Sequence, residues 1–128
     1  MLKRNKEQAP QREHGGVLSY ILLQQGDMPS GQFSVMWVEI EPGSGQPRHQ
    51  HGPEQAYIII RGHGRMRVGD EEDAVTSGDI VYVPPNVAHS IENLSAGPLT
   101  YITVASPAFN LASLLDTGEL PPTSPSGR

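Results

Sequence analysis

Short runs of β-favouring residues, each cut off by turn-forming residues, constrain what this chain folds into more than anything else in it. The runs occupy residues 17–23, 33–41, 56–61, 65–68, 80–83, 89–93 and 99–104. Most are bounded by Gly, Pro, Asp or Asn, as strands separated by turns should be. Fourteen glycines and twelve prolines in 128 residues supply those turns. Helical periodicity is nearly absent before residue 107. Evenly spaced short strands predict an all-β sandwich or barrel rather than a helical or doubly wound fold. Residues 62–64 and 69–73 read as connections between antiparallel neighbours, and Asp70-Glu71-Glu72-Asp73 reads as an exposed turn. Ser106-Pro107 predicts the start of a short C-terminal helix, with Ser as cap and Pro in the first turn. Run through Leu115, that helix would lay Phe109, Ala112 and Leu115 against the barrel. Residues 1–12 are expected to form a flexible tail, 13–118 the barrel, and 119–128, ending PPTSPSGR, a disordered tail.

Composition excludes several classes of function. A chain of 128 residues fits one domain with a full core. No stretch approaches the roughly 20 apolar residues needed to span a bilayer. The first dozen residues are polar and lack the apolar heart of a signal peptide, so a cytoplasmic protein is expected. There is no cysteine, which rules out disulfides, thiolate metal sites and cysteine nucleophiles. A net charge of −5 argues against a nucleic-acid partner. Lys3, Arg4 and Lys6 are expected to be solvated, and so are Arg48, Arg61, Arg65 and Arg67 on the barrel exterior. No Ser-His-Asp set or phosphate-cradling glycine loop appears.

Three of the five histidines carry the chemistry. His49 and His51 are two apart, so on a strand both imidazoles point to one face and Gln50 to the other. His89 lies on a later run, after the turn Pro84-Pro85-Asn86. Imidazole is the commonest protein ligand for borderline divalent metals, and three converging on one point would form a useful site. Spacing alone cannot separate this from a pair of exposed loop histidines. His14 and His63 read as surface residues. Tyr57 and Ile59 share parity with Gln55 and should line the same interior. On the run 33–41, Phe33, Val35 and Trp37 form one face and Met36, Val38 and Ile40 the other; which set packs inward is open.

Residues 43–62, GSGQPRHQHGPEQAYIIIRG, resemble the first signature of the cupin superfamily through Gly43, His49, His51, position 55 and Gly62. Residues 78–93, GDIVYVPPNVAHSIEN, resemble the second through Gly78, Pro84, His89 and Asn93, with Asn86 where that family usually has Gly. Asn also tolerates positive φ in a turn. The resemblance implies a small single-domain cupin: an antiparallel double-stranded β-helix, or jelly-roll barrel, of about six to eight strands. It also implies one divalent transition metal ion (Zn, Ni, Mn, Co or Fe) held by His49, His51, His89 and the residue at position 55. Gln55 stands where Glu is usual, and its amide oxygen can still coordinate; Glu54 is the competing ligand. A neutral amide leaves the ion its full charge and makes it a stronger Lewis acid. Glu54 and Tyr57 are candidates for proton transfer or substrate contact. The function so implied is a metalloenzyme of dioxygenase, isomerase or cyclase type acting on an oxygen-bearing small molecule. The alternative is a non-catalytic cupin that binds or senses a sugar or hydroxy acid. Cupins of this size commonly pair, and the apolar run 17–23 suggests a homodimer in which it and the last helix lie near the interface.

Overall fold

The structure, a computed structural model, describes residues 1–108; Ser106, expected to cap the C-terminal helix, is the last residue of the final strand and Pro107 is in a bend, while the rest of that helix and the tail 119–128 lie outside the described residues. A 3-10 turn at Lys6–Gln8 precedes ten strands: β1 (Gln11–His14), β2 (Val17–Leu23), β3 (Ser34–Ile40), β4 (Gly45–His49), β5 (Glu54–Arg61), β6 (His63–Val68), β7 (Glu71–Thr76), β8 (Ile80–Val83), β9 (His89–Asn93) and β10 (Leu99–Ser106). They form two antiparallel sheets, one in the order β1-β2-β3-β10-β5-β8 and the other in the order β4-β9-β6-β7. Among the described residues no helix is long and apolar enough to cross a membrane.

Alternation decides what faces inward. On β3, Ser34, Met36, Val38 and Ile40 are buried, while Val35, Trp37 and Glu39 lie on the outer face. Trp37 therefore does not line the interior; its indole N–H donates to Glu39 Oε2 at 2.9 Å. Paired in register, the inward rows of the larger sheet run Ser34–Ala105–Gln55–Val83, then Met36–Thr103–Tyr57, then Val38–Tyr101–Ile59, then Ile40–Leu99. Met66, Val75 and Ile91 close the core from the smaller sheet. Gly64 is required where β6 crosses β9, because a Cβ there would come within 2.2 Å of the Glu92 carbonyl. Asn86 has φ 61 and fills its turn as expected.

Three strands lack the alternation that makes a strand legible. β7 takes in most of the acidic run expected to be a turn; only Val75 is buried on it, and Glu72 accepts from both Arg65 and Arg67. β4 carries a proline and an irregular register with β9. β1 is nearly all polar, yet it pairs with β2 from Gln11 to His14. The boundary placed at residue 12 thus cuts through a strand, and the segment before it is anchored rather than a free tail. Arg4 pairs with Asp27 at 3.0 Å and Lys6 with Glu39 at 2.9 Å. Because β1 covers it, β2 is not the sheet edge that its apolar sequence suggested; β1 and β8 are.

Candidate metal centre

His49 ends β4 and pairs in register with His89 at the start of β9; His51 follows in the short connection to β5. All three are buried, His89 completely, and their ring centroids lie 4.3 to 5.5 Å apart. One ligand atom from each lies within 4.8 Å of the others. Each ring is fixed by the backbone. Nδ1 of His49 faces Pro47 O, Nδ1 of His51 faces Pro53 O, and Nδ1 of His89 faces Val87 O, each at 2.9 Å. A carbonyl oxygen only accepts, so these contacts place the ring proton on Nδ1 and turn the Nε2 lone pairs into the interior.

Two observations show that this donor set fits a cation. His89 Nε2 is buried and has no hydrogen-bond partner among the described residues. His51 Nε2 lies 3.0 Å from Gln55 Oε1, so both ring nitrogens of His51 face acceptor oxygens, and one ring proton cannot serve both. An ion bound to Nε2 and Oε1 removes that conflict. Burial pushes His49 down to about 4, against the opposing pull of the Pro47 carbonyl. Burial, reinforced by His49, pushes His89 down to about 3. Both imidazoles are therefore neutral near pH 7, the form in which they ligate metals.

The structure separates the two candidates for the fourth position. Gln55 is buried and sits against His51. Glu54 is exposed on the outer face, where it accepts from Tyr82 Oη at 2.6 Å. The competing ligand and proton-transfer candidate is thus turned away from the histidines. Tyr57 is buried with its ring centroid 6.0 Å from that of His89. Burial holds its phenol well above the ordinary range, so it is a donor and not a base. His14, His63 and the four arginines of the barrel exterior are exposed.

Sequence reasoning missed Gln46. It is three residues before His49, which on a regular strand would put the two on opposite faces. The pairing of β4 with β9 shifts between Gln46 and His49, leaving one extra residue on β4. Pro47 and Arg48 turn outward and both Gln46 and His49 turn in. Gln46 Oε1 then accepts from Tyr57 Oη at 3.4 Å and Tyr101 Oη at 3.2 Å, and Gln46 Nε2 lies 3.3 Å from His49 Nε2.

The chain matches the cupin-domain family over residues 36–105 and belongs to it. An uncharacterized protein of Methanocaldococcus jannaschii is 35% identical over 69 residues, which is 53% of this chain and 55% of that protein. The chain therefore spans about half the length of that relative. A predicted oxalate decarboxylase from Thermotoga maritima superimposes with a TM-score of 0.75 at 20% identity, covering 82% of this chain and 98% of its own. Bacillus subtilis oxalate decarboxylase, a protein with Mn(II) centres, gives a TM-score of 0.71 at 22% identity, covering 79% of this chain and 28% of its own. At these identities the likeness shows the shared fold.

Proposed function

We propose that the protein binds one divalent transition metal ion through His49, His51, His89 and Gln55 and is a metalloenzyme acting on an oxygen-bearing small molecule. The observation that carries this reading is the convergence of three Nε2 lone pairs, each aimed by a backbone carbonyl on the far side of its ring. The ion would act as a Lewis acid, polarising an oxygen of the bound molecule. The chain's own groups exclude water around the ion: Val83 and Ala105 flank Gln55 in its row, and the buried Tyr57 ring stands beside His89. Isomerase or cyclase chemistry, which needs no change of oxidation state, suits a neutral donor set as well as dioxygenase chemistry does. A non-catalytic binding protein is the second reading. It is favoured by the absence, among the buried residues of the described part, of any titratable base other than the histidines.

Elemental analysis of protein purified without added metal, compared with His49→Ala, tests the site. About one ion per chain is expected in the wild type and none in the variant. Metal retained by the variant would show that the site lies elsewhere. Conversion of any hydroxy-acid or sugar-acid substrate, lost on chelation and restored by metal, separates the enzyme from the binder.

We also infer a homodimer, with the contact moved from β2 to β8. Strand β8 is a sheet edge whose outer face carries Ile80 (68% exposed) and Tyr82 (56% exposed), with Ile60 close by on β5. An open strand edge beside apolar side chains pairs readily with its own copy about a two-fold axis. Light scattering should give twice the chain mass for the wild type and the chain mass for Ile80→Lys. A monomeric wild type at micromolar concentration overturns this.

A further inference from the structure

The buried polar residues of the described chain are Ser19, Ser34, Gln46, His49, His51, Gln55, His89, Asn93, Thr100 and Thr103. None is a carboxylate or a permanent cation. Imidazole lone pairs and an amide oxygen bring no charge of their own, so a divalent ion on this donor set would keep its whole charge inside the barrel. Isolated charge in a low-dielectric interior is costly, so the bound ion recruits an anion to offset it. Beside the histidines the interior also holds an amide, that of Gln46, whose orientation is fixed. The phenols of Tyr57 and Tyr101 both donate to Gln46 Oε1, which leaves Gln46 Nε2 pointing toward His49 Nε2 at 3.3 Å. Because the His49 ring proton is engaged by Pro47, its Nε2 has one lone pair, and that pair serves either the Gln46 N–H or an ion. Once an ion takes it, the Gln46 N–H is a buried donor beside the metal ligand atom and in need of a new acceptor.

We propose that Gln46 is the positioning residue of the centre, presenting its amide N–H to one oxygen of a carboxylate ligand whose other oxygen binds the ion. The inference rests on the metal reading above and names the ligand class for it: small carboxylates in preference to neutral polyols. Tyr57 and Tyr101 act through Gln46 by fixing the sense of its amide, so neither phenol needs to reach the ligand. The bulge in β4 lets this donor share the interior with His49, since Gln46 pairs with the buried Ile91 and His49 with His89 across one extra residue.

The test uses Co(II)-loaded full-length protein, whose visible absorption reports both the ion and what binds it, with acetate and imidazole as probes. Imidazole occupies the ion without offering an acceptor to Gln46. For Gln46→Met we expect Co(II) affinity and imidazole affinity within about two-fold of wild type, and acetate affinity lowered about ten-fold, the size of one hydrogen bond to a charged acceptor. The double variant Tyr57→Phe with Tyr101→Phe keeps the amide but frees it to rotate, and it should weaken acetate by a smaller factor with Co(II) affinity unchanged. Unaltered acetate binding in Gln46→Met overturns the role given to Gln46 while leaving the metal site standing. Equal loss of acetate and imidazole, or weaker Co(II) binding, shows that Gln46 supports the fold or the ion instead. If Gln46→Met does not fold, unchanged acetate affinity in the double variant overturns the proposal by itself. Failure of the wild type to bind Co(II) removes the metal reading and this inference together.

Discussion

The two ends of the barrel interior are both buried and built for opposite purposes. At the end where β10 begins, Ile40 and Leu99 are wholly enclosed, with Val17, Val38 and Ile59 around them. At the end where β10 leaves, buried positions hold His49, His51, Gln55 and His89. One end removes apolar surface from water, which stabilises the fold directly. The other buries a cluster of polar ligand atoms, of which His89 Nε2 has no partner among the described residues; at the first end the comparable atom is a single hydroxyl, Thr100 Oγ1, with no cluster around it. Leaving a buried polar atom unpaired costs stability. Burial that costs stability without repayment from the fold alone marks a site rather than a core. Metal binding should therefore stabilise the protein strongly. At a thousand-fold excess over its dissociation constant, an ion that binds only the folded chain adds about 4 kcal/mol. Calorimetry with and without a chelator should show that difference in the wild type, and His89→Ala should abolish it. An identical melting temperature with and without metal would break the contrast between the two ends.

The apolar end should behave in the reverse way. Ile40→Ala removes a fully buried side chain packed in the terminal row, and about 3 kcal/mol should be lost to transfer and cavity terms together. Because Ile40 touches no ligand atom, the loss should be the same for metal-loaded and metal-free protein, as denaturant titration of both forms would show. A loss confined to one form would mean that the two ends are mechanically coupled.

A finer version of the same contrast lies within two adjacent residues. Gln55 faces the histidines and Glu54 faces solvent, where Tyr82 holds it. Gln55→Ala should weaken metal binding about ten-fold, worth about 1.4 kcal/mol. Gln55→Glu should tighten it, since a carboxylate supplies the charge that the amide lacks. Glu54→Gln should leave metal affinity unchanged in a competitive indicator titration. If Glu54→Gln proved the more damaging variant, the assignment of faces on β5 would be wrong.

What was legible in the sequence follows from the same geometry. β3 and β5 announce themselves as runs of β-favouring residues bounded by turn residues, although their burial alternates more regularly than their sequence does. The histidines were legible through the two signatures, since spacing alone left them indistinguishable from loop histidines and His51 lies in the connection after β4 rather than on a strand. The acidic strand β7 was not legible, since an edge strand with one inward residue has no period to read. Gln46 was hidden for a more instructive reason. Its spacing of three from His49 places it on the wrong face unless a bulge intervenes, and the bulge is visible only in the pairing of β4 with β9. Asn93, by contrast, was legible as part of a signature but not as a physical role. Its side chain donates to the carbonyls of Ile40 and Gly97 and accepts from the Ser95 backbone, tying β9 to the end of β3 and to the turn before β10. Setting Phe33, Val35 and Trp37 against Met36, Val38 and Ile40 leaves the inward face of β3 open, although Glu39 shares the row of Trp37 and is the signal that marks that row as outer. The Trp37 N–H accordingly finds its acceptor outside.

That outer face supplies the smallest effect. Glu39 is only partly exposed, and burial alone would push its carboxyl up, but hydrogen bonds from Lys6 and Trp37 outweigh that and hold it below its ordinary value of 4.5. A carboxyl depressed in the folded state binds fewer protons there than in the unfolded chain. Its contribution is therefore present above pH 4.5 and lost as the pH falls through the lower folded value. Lys6 also lies 4.9 Å from the centroid of Tyr20 and 5.1 Å from that of Trp37, so the ammonium remains anchored when the carboxylate is gone. For a partly exposed pair the effect should be about 0.5 kcal/mol. Urea titrations on metal-free protein at neutral and acid pH should give Glu39→Gln a stability deficit at the higher pH that shrinks toward the lower one. Equal deficits at both would assign the cost of the substitution to lost packing around Trp37 instead of to charge.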